Sequence, residues 1–91
     1  MSTADEVRCT VDFLNARKAD FALLHCNSTY PAPNKELNLS IIPYLKERYN
    51  CIIGYSGHEM DLEPSVTAAI LGAQVIERHV TLDHNMWGSD H

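Results

Sequence analysis

Three short apolar runs begin near residues 21, 51 and 74, and segments of helical periodicity alternate with them. That spacing constrains the fold more than any other feature of the chain. A strand, a crossover helix and a second parallel strand repeat at such intervals. The runs are Phe21-Ala22-Leu23-Leu24-His25-Cys26, residues 51–55 and residues 74–80. The first is apolar on both faces, as expected of a strand with helices on one side and other strands or a barrel interior on the other.

The intervening segments carry helix signals. Thr3 with Glu6 forms a T-x-x-E capping box, and Val7, Val11 and Leu14 recur at helical spacing, so a first helix buries that stripe. Residues 27–38 form a polar loop whose two prolines, Pro31 and Pro33, exclude helix or central strand. Loops this long in compact domains tend to be functional. A second helix follows, with Ser40 the better cap, Pro43 in its first turn, and Ile42, Leu45 and Tyr49 on one face. A third helix starts at Pro64 and stops at Gly72. The tail from Thr81 has no periodicity. The order is αβαβαβ, an α/β chain of parallel β/α units.

Ninety-one residues allow one domain, residues 1–91, with a marginal core. Three strands cannot close a TIM barrel, which takes eight strands and about 250 residues, so the pattern fits a slice of such a barrel or of a doubly wound sheet. No G-x-G-x-x-G follows any strand, which leaves a dinucleotide fold without support. The formal charge is −5 and no Lys/Arg cluster exists, which argues against nucleic acid or an anionic membrane as partner. No apolar stretch approaches a membrane span, and the start is polar and acidic rather than a secretory leader. The three cysteines, Cys9, Cys26 and Cys51, lack metal or redox spacing, so they read as reduced thiols of a cytoplasmic protein.

His58 and His79 hold most of the chemical information. Each lies at the end of an apolar run, and parallel strands bring their C-terminal ends to one rim. Two neutral imidazoles there make half of a divalent metal site. Glu77 lies two residues before His79, hence on the same face, where it would orient the imidazole or share the metal; a buried acid satisfied by a lysine is the alternative. Gly54, Ser56 and Gly57 before His58 let backbone amides and a hydroxyl approach an anion. Ser28 and Tyr30 follow the first strand and offer hydroxyls to a phosphate or sugar, or else serve local turn chemistry and packing. Trp87 in the tail would wall a sugar site or anchor a further segment. His84 and His91 read as solvent-exposed.

Three segments closely resemble the sialic acid (N-acetylneuraminate) synthases. They are His25-Cys26 through Tyr30-Pro31, Gly54-Tyr55-Ser56-Gly57-His58-Glu59, and Glu77-Arg78-His79-Val80-Thr81-Leu82-Asp83 with Gly88-Ser89-Asp90-His91. The resemblance implies a fragment of a (β/α)8 barrel running from helix five to strand eight. The first five strands would be absent, and with them an early catalytic glutamate and phosphate-neutralising lysines. The antifreeze-like C-terminal domain would be absent as well. It further implies condensation of phosphoenolpyruvate with N-acetylmannosamine or its 6-phosphate, with release of phosphate. The cofactor implied is a divalent cation, manganese foremost, with magnesium or cobalt as substitutes. The family's metal ligands fall on His58 and His79 and its site acid on Glu77. Its phosphate and substrate contacts fall on Ser56, Ser28 and Tyr30, and its sugar-contacting aspartate on Asp90. The expectation is an inactive isolated chain that forms homo-oligomers. The competing expectation is a non-catalytic module that self-associates or complements a partner. A third is an unrelated metallohydrolase.

Overall fold

A computed structural model describes residues 1–88 of the chain. Asp90 and His91 lie outside the described residues. The elements are helix α1 (Ala4–Ala16), strand β1 (Ala22–Cys26), a 3-10 turn at Asn34–Glu36, helix α2 (Ile41–Arg48), strand β2 (Ile52–Gly57), helix α3 (Glu63–Ile70) and strand β3 (Val75–Arg78). The αβαβαβ order of the sequence reading stands.

Local signals account for the element ends. Thr3 caps α1 with a reciprocal box: the Glu6 amide donates to Thr3 Oγ1 at 3.3 Å, and the Thr3 amide donates to Glu6 Oε2 at 2.7 Å. Ser40 precedes α2 but makes no side-chain cap, because its backbone is already helical (φ −60°, ψ −13°) rather than extended; its hydroxyl donates to Asn38 Oδ1 at 3.0 Å. Pro64 sits in the first turn of α3. Gly72 follows that helix with φ +103°, a conformation that costs glycine little, and its carbonyl accepts from Lys46 Nζ at 3.0 Å.

The sheet is parallel throughout, in the order β1-β2-β3. Leu24 pairs with Gly54 and Gly54 with Val75; Cys26 pairs with Ser56 and Ser56 with Glu77. Since side chains alternate along a strand, these residues share one face. Ile53 and Tyr55 point the other way and are buried with Ile42 of α2 and Ala68 of α3. Helices α2 and α3 therefore cover this face. The opposite face holds Ser56 and Glu77 and leaves Ile52 and Val75 exposed. Gly54 keeps the strands close, since a Cβ there would meet the Val75 carbonyl oxygen at 2.7 Å.

Each strand starts one residue later than the sequence reading has it, and two strand ends differ by two residues. β2 continues through Ser56 and Gly57 because both find partners, in Glu77 and Arg78. β3 ends at Arg78, where that pairing stops, so His79 stands just beyond the strand rather than within it.

Candidate functional site

The three strands end at one rim, and three rings meet there. Tyr30, from the loop after β1, has its ring centroid 5.0 Å from that of His58 and 5.1 Å from that of His79. The two imidazoles are 5.2 Å apart, edge to face. The sequence placed His58 and His79 on a common rim; the structure adds Tyr30 beside both of them. Gly57, Met60, Arg78 and His84 line the same depression.

His58 is oriented from two sides. Its Nδ1 lies 2.8 Å from the Asn27 carbonyl oxygen. A carbonyl only accepts, so Nδ1 carries a proton, and in the neutral ring Nε2 is then the nitrogen with the lone pair. The His58 carbonyl in turn accepts from the Ala32 amide at 2.9 Å, which ties the β1 loop to the end of β2. A backbone carbonyl that holds one ring nitrogen, as Asn27 does here, is common among metal-binding histidines. Cys26 Sγ stands 3.8 Å from the same Nδ1. His79 is exposed.

Ser56 is buried, and its hydroxyl donates to Glu77 Oε1 at 2.7 Å. With its proton so committed, Ser56 offers lone pairs to anything above it. Contact with a phosphate oxygen requires that hydrogen bond to swing away from Glu77. Glu77 is exposed on the uncovered sheet face, so the buried, lysine-satisfied alternative does not describe it. Ser28 is not brought to the histidine pair. It is exposed and lines a separate groove between α1, β1 and α2, together with Met1, Tyr44 and Tyr49.

Sequence reasoning missed the groups that hold the site together. The Asn27 carbonyl and the Cys26 thiol lie against His58, and His84 closes one side of the depression. Glu59, one residue past His58, is a buried carboxylate bound by Arg78 and by the Tyr55 hydroxyl at 2.7 Å. Burial, and secondarily the Glu59 carboxylate, push the Tyr55 phenol well above the ordinary tyrosine range. Among the described residues, no group of three or more His, Cys, Asp and Glu side chains is assembled as a metal cage. The pair fits a cation that takes two imidazoles and draws further ligands from oxygen donors.

Parallel β/α units with paired imidazoles at the C-terminal rim define a segment of an α/β barrel. The chain belongs to the NeuB family, whose model matches residues 1–91. It is similar to the N-acetylneuraminate-9-phosphate synthase of Drosophila melanogaster, 49% identical over 75 residues that cover 81% of this chain and 20% of that protein. The Homo sapiens N-acetylneuraminate-9-phosphate synthase is 39% identical over 92 residues, covering 100% of this chain and 26% of that protein. The fold matches the N-acetylneuraminic acid (sialic acid) synthetase of Leptospira borgpetersenii serovar Hardjo-bovis in complex with citrate. That match has a TM-score of 0.88 and 40% identity over 91% of this chain and 29% of that one. The chain thus spans between a fifth and about a quarter of the length of these curated relatives.

Proposed function

We propose that this chain forms the metal-binding and substrate-orienting rim of a nonulosonic acid synthase. The reaction joins phosphoenolpyruvate to N-acetylmannosamine or its 6-phosphate and releases inorganic phosphate. The observation that carries the proposal is the convergence of Tyr30, His58 and His79, with ring centroids 5.0–5.2 Å apart, at the C-terminal ends of parallel strands.

His58, through Nε2, and His79 are the residues that would hold a divalent cation, manganese first, with magnesium or cobalt as substitutes. When bound, such a cation supplies Lewis acidity and an activated water. The chain's own groups bind and orient. Asn27 fixes the His58 tautomer. Glu77 holds the Ser56 hydroxyl and, two residues before His79, supports the metal site in this reading. The Tyr30 phenol stands beside both imidazoles, placed to hydrogen-bond a bound sugar or phosphate. Ser28 and Asp90 complete the substrate contacts in this reading. Arg78 borders the depression, but its guanidinium is committed to Glu59, so it offers little neutralisation to a polyanion. Charge for phosphoenolpyruvate has to come from outside these residues. We place the reaction in the cytoplasm, in keeping with three unbonded cysteines and with no described helix long and apolar enough to cross a membrane.

Calorimetric titration with manganese tests the reading on the chain and on its His58→Ala and His79→Ala variants. Binding that both substitutions abolish is expected. Binding indifferent to either one overturns the proposal.

A second reading is favoured by the exposed apolar side chains of Ile52 and Val75 on the uncovered face. In that reading the chain is a module that pairs with copies of itself or with the strands of a partner.

A further inference from the structure

One buried network at the rim is not used by the reading above. Glu59 directly follows His58, and Arg78 directly precedes His79. Arg78 Nη1 pairs with Glu59 Oε1, and the Glu59 side chain is fully buried while that of Arg78 is 23% exposed. The same Nη1 donates to Ser65 Oγ at 2.9 Å and to the Asp61 carbonyl at 3.1 Å. Nη2 donates to the Glu59 backbone carbonyl. The Tyr55 hydroxyl holds Glu59 Oε2 at 2.7 Å. One guanidinium at the end of β3 therefore grips both the side chain and the backbone of the loop that leaves β2.

Stability alone is a poor account of this pair. Well-packed apolar residues of similar volume often serve a fold as well as a buried ion pair does. What the planar fork adds is direction, since its donors fix where their acceptors must lie. The acceptors here include the two backbone carbonyls at Glu59 and Asp61, just past His58. Gly57 belongs to the same arrangement. A Cβ at Gly57 would meet Glu59 Oε1 at 2.9 Å and Oε2 at 3.0 Å, so the carboxylate folds back over the strand end only because that position is glycine.

We propose that the Glu59–Arg78 pair is a positioning clamp, which sets the spacing of the His58 and His79 imidazoles and so the cation affinity of the pair. The affinity part rests on the metal site proposed above; the spacing part does not. Glu59 and Arg78 act through the neighbouring histidines and need touch neither metal nor substrate.

The test uses the whole chain and three variants. Glu59→Gln removes the charge. Arg78→Lys keeps the charge but loses the fork. Gly57→Ala keeps both partners and displaces the carboxylate. Nuclear Overhauser contacts among the Tyr30, His58 and His79 rings are read without metal, and cobalt affinity is read by visible absorption. Far-UV circular dichroism reports the fold. Expected are folded Arg78→Lys and Gly57→Ala chains in which the His58–His79 contact weakens and the cobalt Kd rises about 10–100-fold, the usual cost of losing such support. Unchanged ring contacts in the folded variants overturn the clamp. So does loss of fold in all three, which assigns the pair to stability instead. A wild-type chain that shows the ring contacts but binds no cobalt refutes the metal site, while the ring contacts alone still decide the clamp.

Discussion

At the scale of single residues, Tyr55 links core and rim. It is 1% exposed, and its hydroxyl meets a carboxylate whose side chain is fully buried. Its pKa is raised in the folded chain, so the folded state keeps the proton where an unfolded tyrosine gives it up, near pH 10. The resulting stability is fully present below about pH 10 and is lost as pH climbs above that value. Thermal unfolding followed against pH is expected to show a falling midpoint on the alkaline side. Tyr55→Phe is expected to be less stable at neutral pH by about 1.5–3 kcal/mol, the usual worth of a hydrogen bond to a charged group, with a flatter alkaline limb. An alkaline limb of unchanged slope would show that other groups govern it. The residue scale is also where the sequence was least legible. His58 and His79 stood out because they end apolar runs. Glu59 and Arg78 did not, since nothing in their spacing shows that a residue of β3 reaches the loop after β2.

At the scale of elements, α1 is the most independent. Its N-terminal end was legible from the T-x-x-E box alone, because capping is a contact between residues three apart. Of the expected stripe only Val11 is buried, while Val7 and Leu14 are partly covered. Thr3→Ala is expected to cost about 1 kcal/mol of helix stability and to lower the helical circular dichroism signal. Hydrogen-exchange protection of the Ile53 and Tyr55 amides should stay as it was, since the core they share is built by α2 and α3. Protection that falls in step with the helix signal would mean that α1 is coupled to the sheet. The strand ends were less legible. β2 gains Ser56 and Gly57, and β3 stops before His79, through pairing between segments about twenty residues apart, which no local pattern records.

At the scale of the whole molecule, the described residues form an open object. The radius of gyration is 14.2 Å, above the roughly 12 Å that a compact domain of this length would have. β1 and β3 are both edge strands, and Ile52 and Val75 lie bare on the uncovered face. Such edges template pairing. Light scattering on the chain is expected to show species larger than a monomer that grow with concentration; a monodisperse monomer would count against both the oligomer and the self-pairing module. Incubated with phosphoenolpyruvate and N-acetylmannosamine, the chain alone is expected to release no phosphate, because no uncommitted cation borders the Tyr30–His58–His79 depression among the described residues. Phosphate release at a rate above buffer would contradict that electrostatic argument. The sequence by itself determined the parallel β/α order and the common rim of the two histidines, because periodicity, caps and proline or glycine punctuation act over a few residues. The tertiary structure alone decided that Tyr30 stands beside both imidazoles, that Ser56 is held by Glu77 rather than free, that Ser28 faces another groove, and that Arg78 grips Glu59. Those outcomes depend on strand register, where a slip of one residue turns every side chain to the other face.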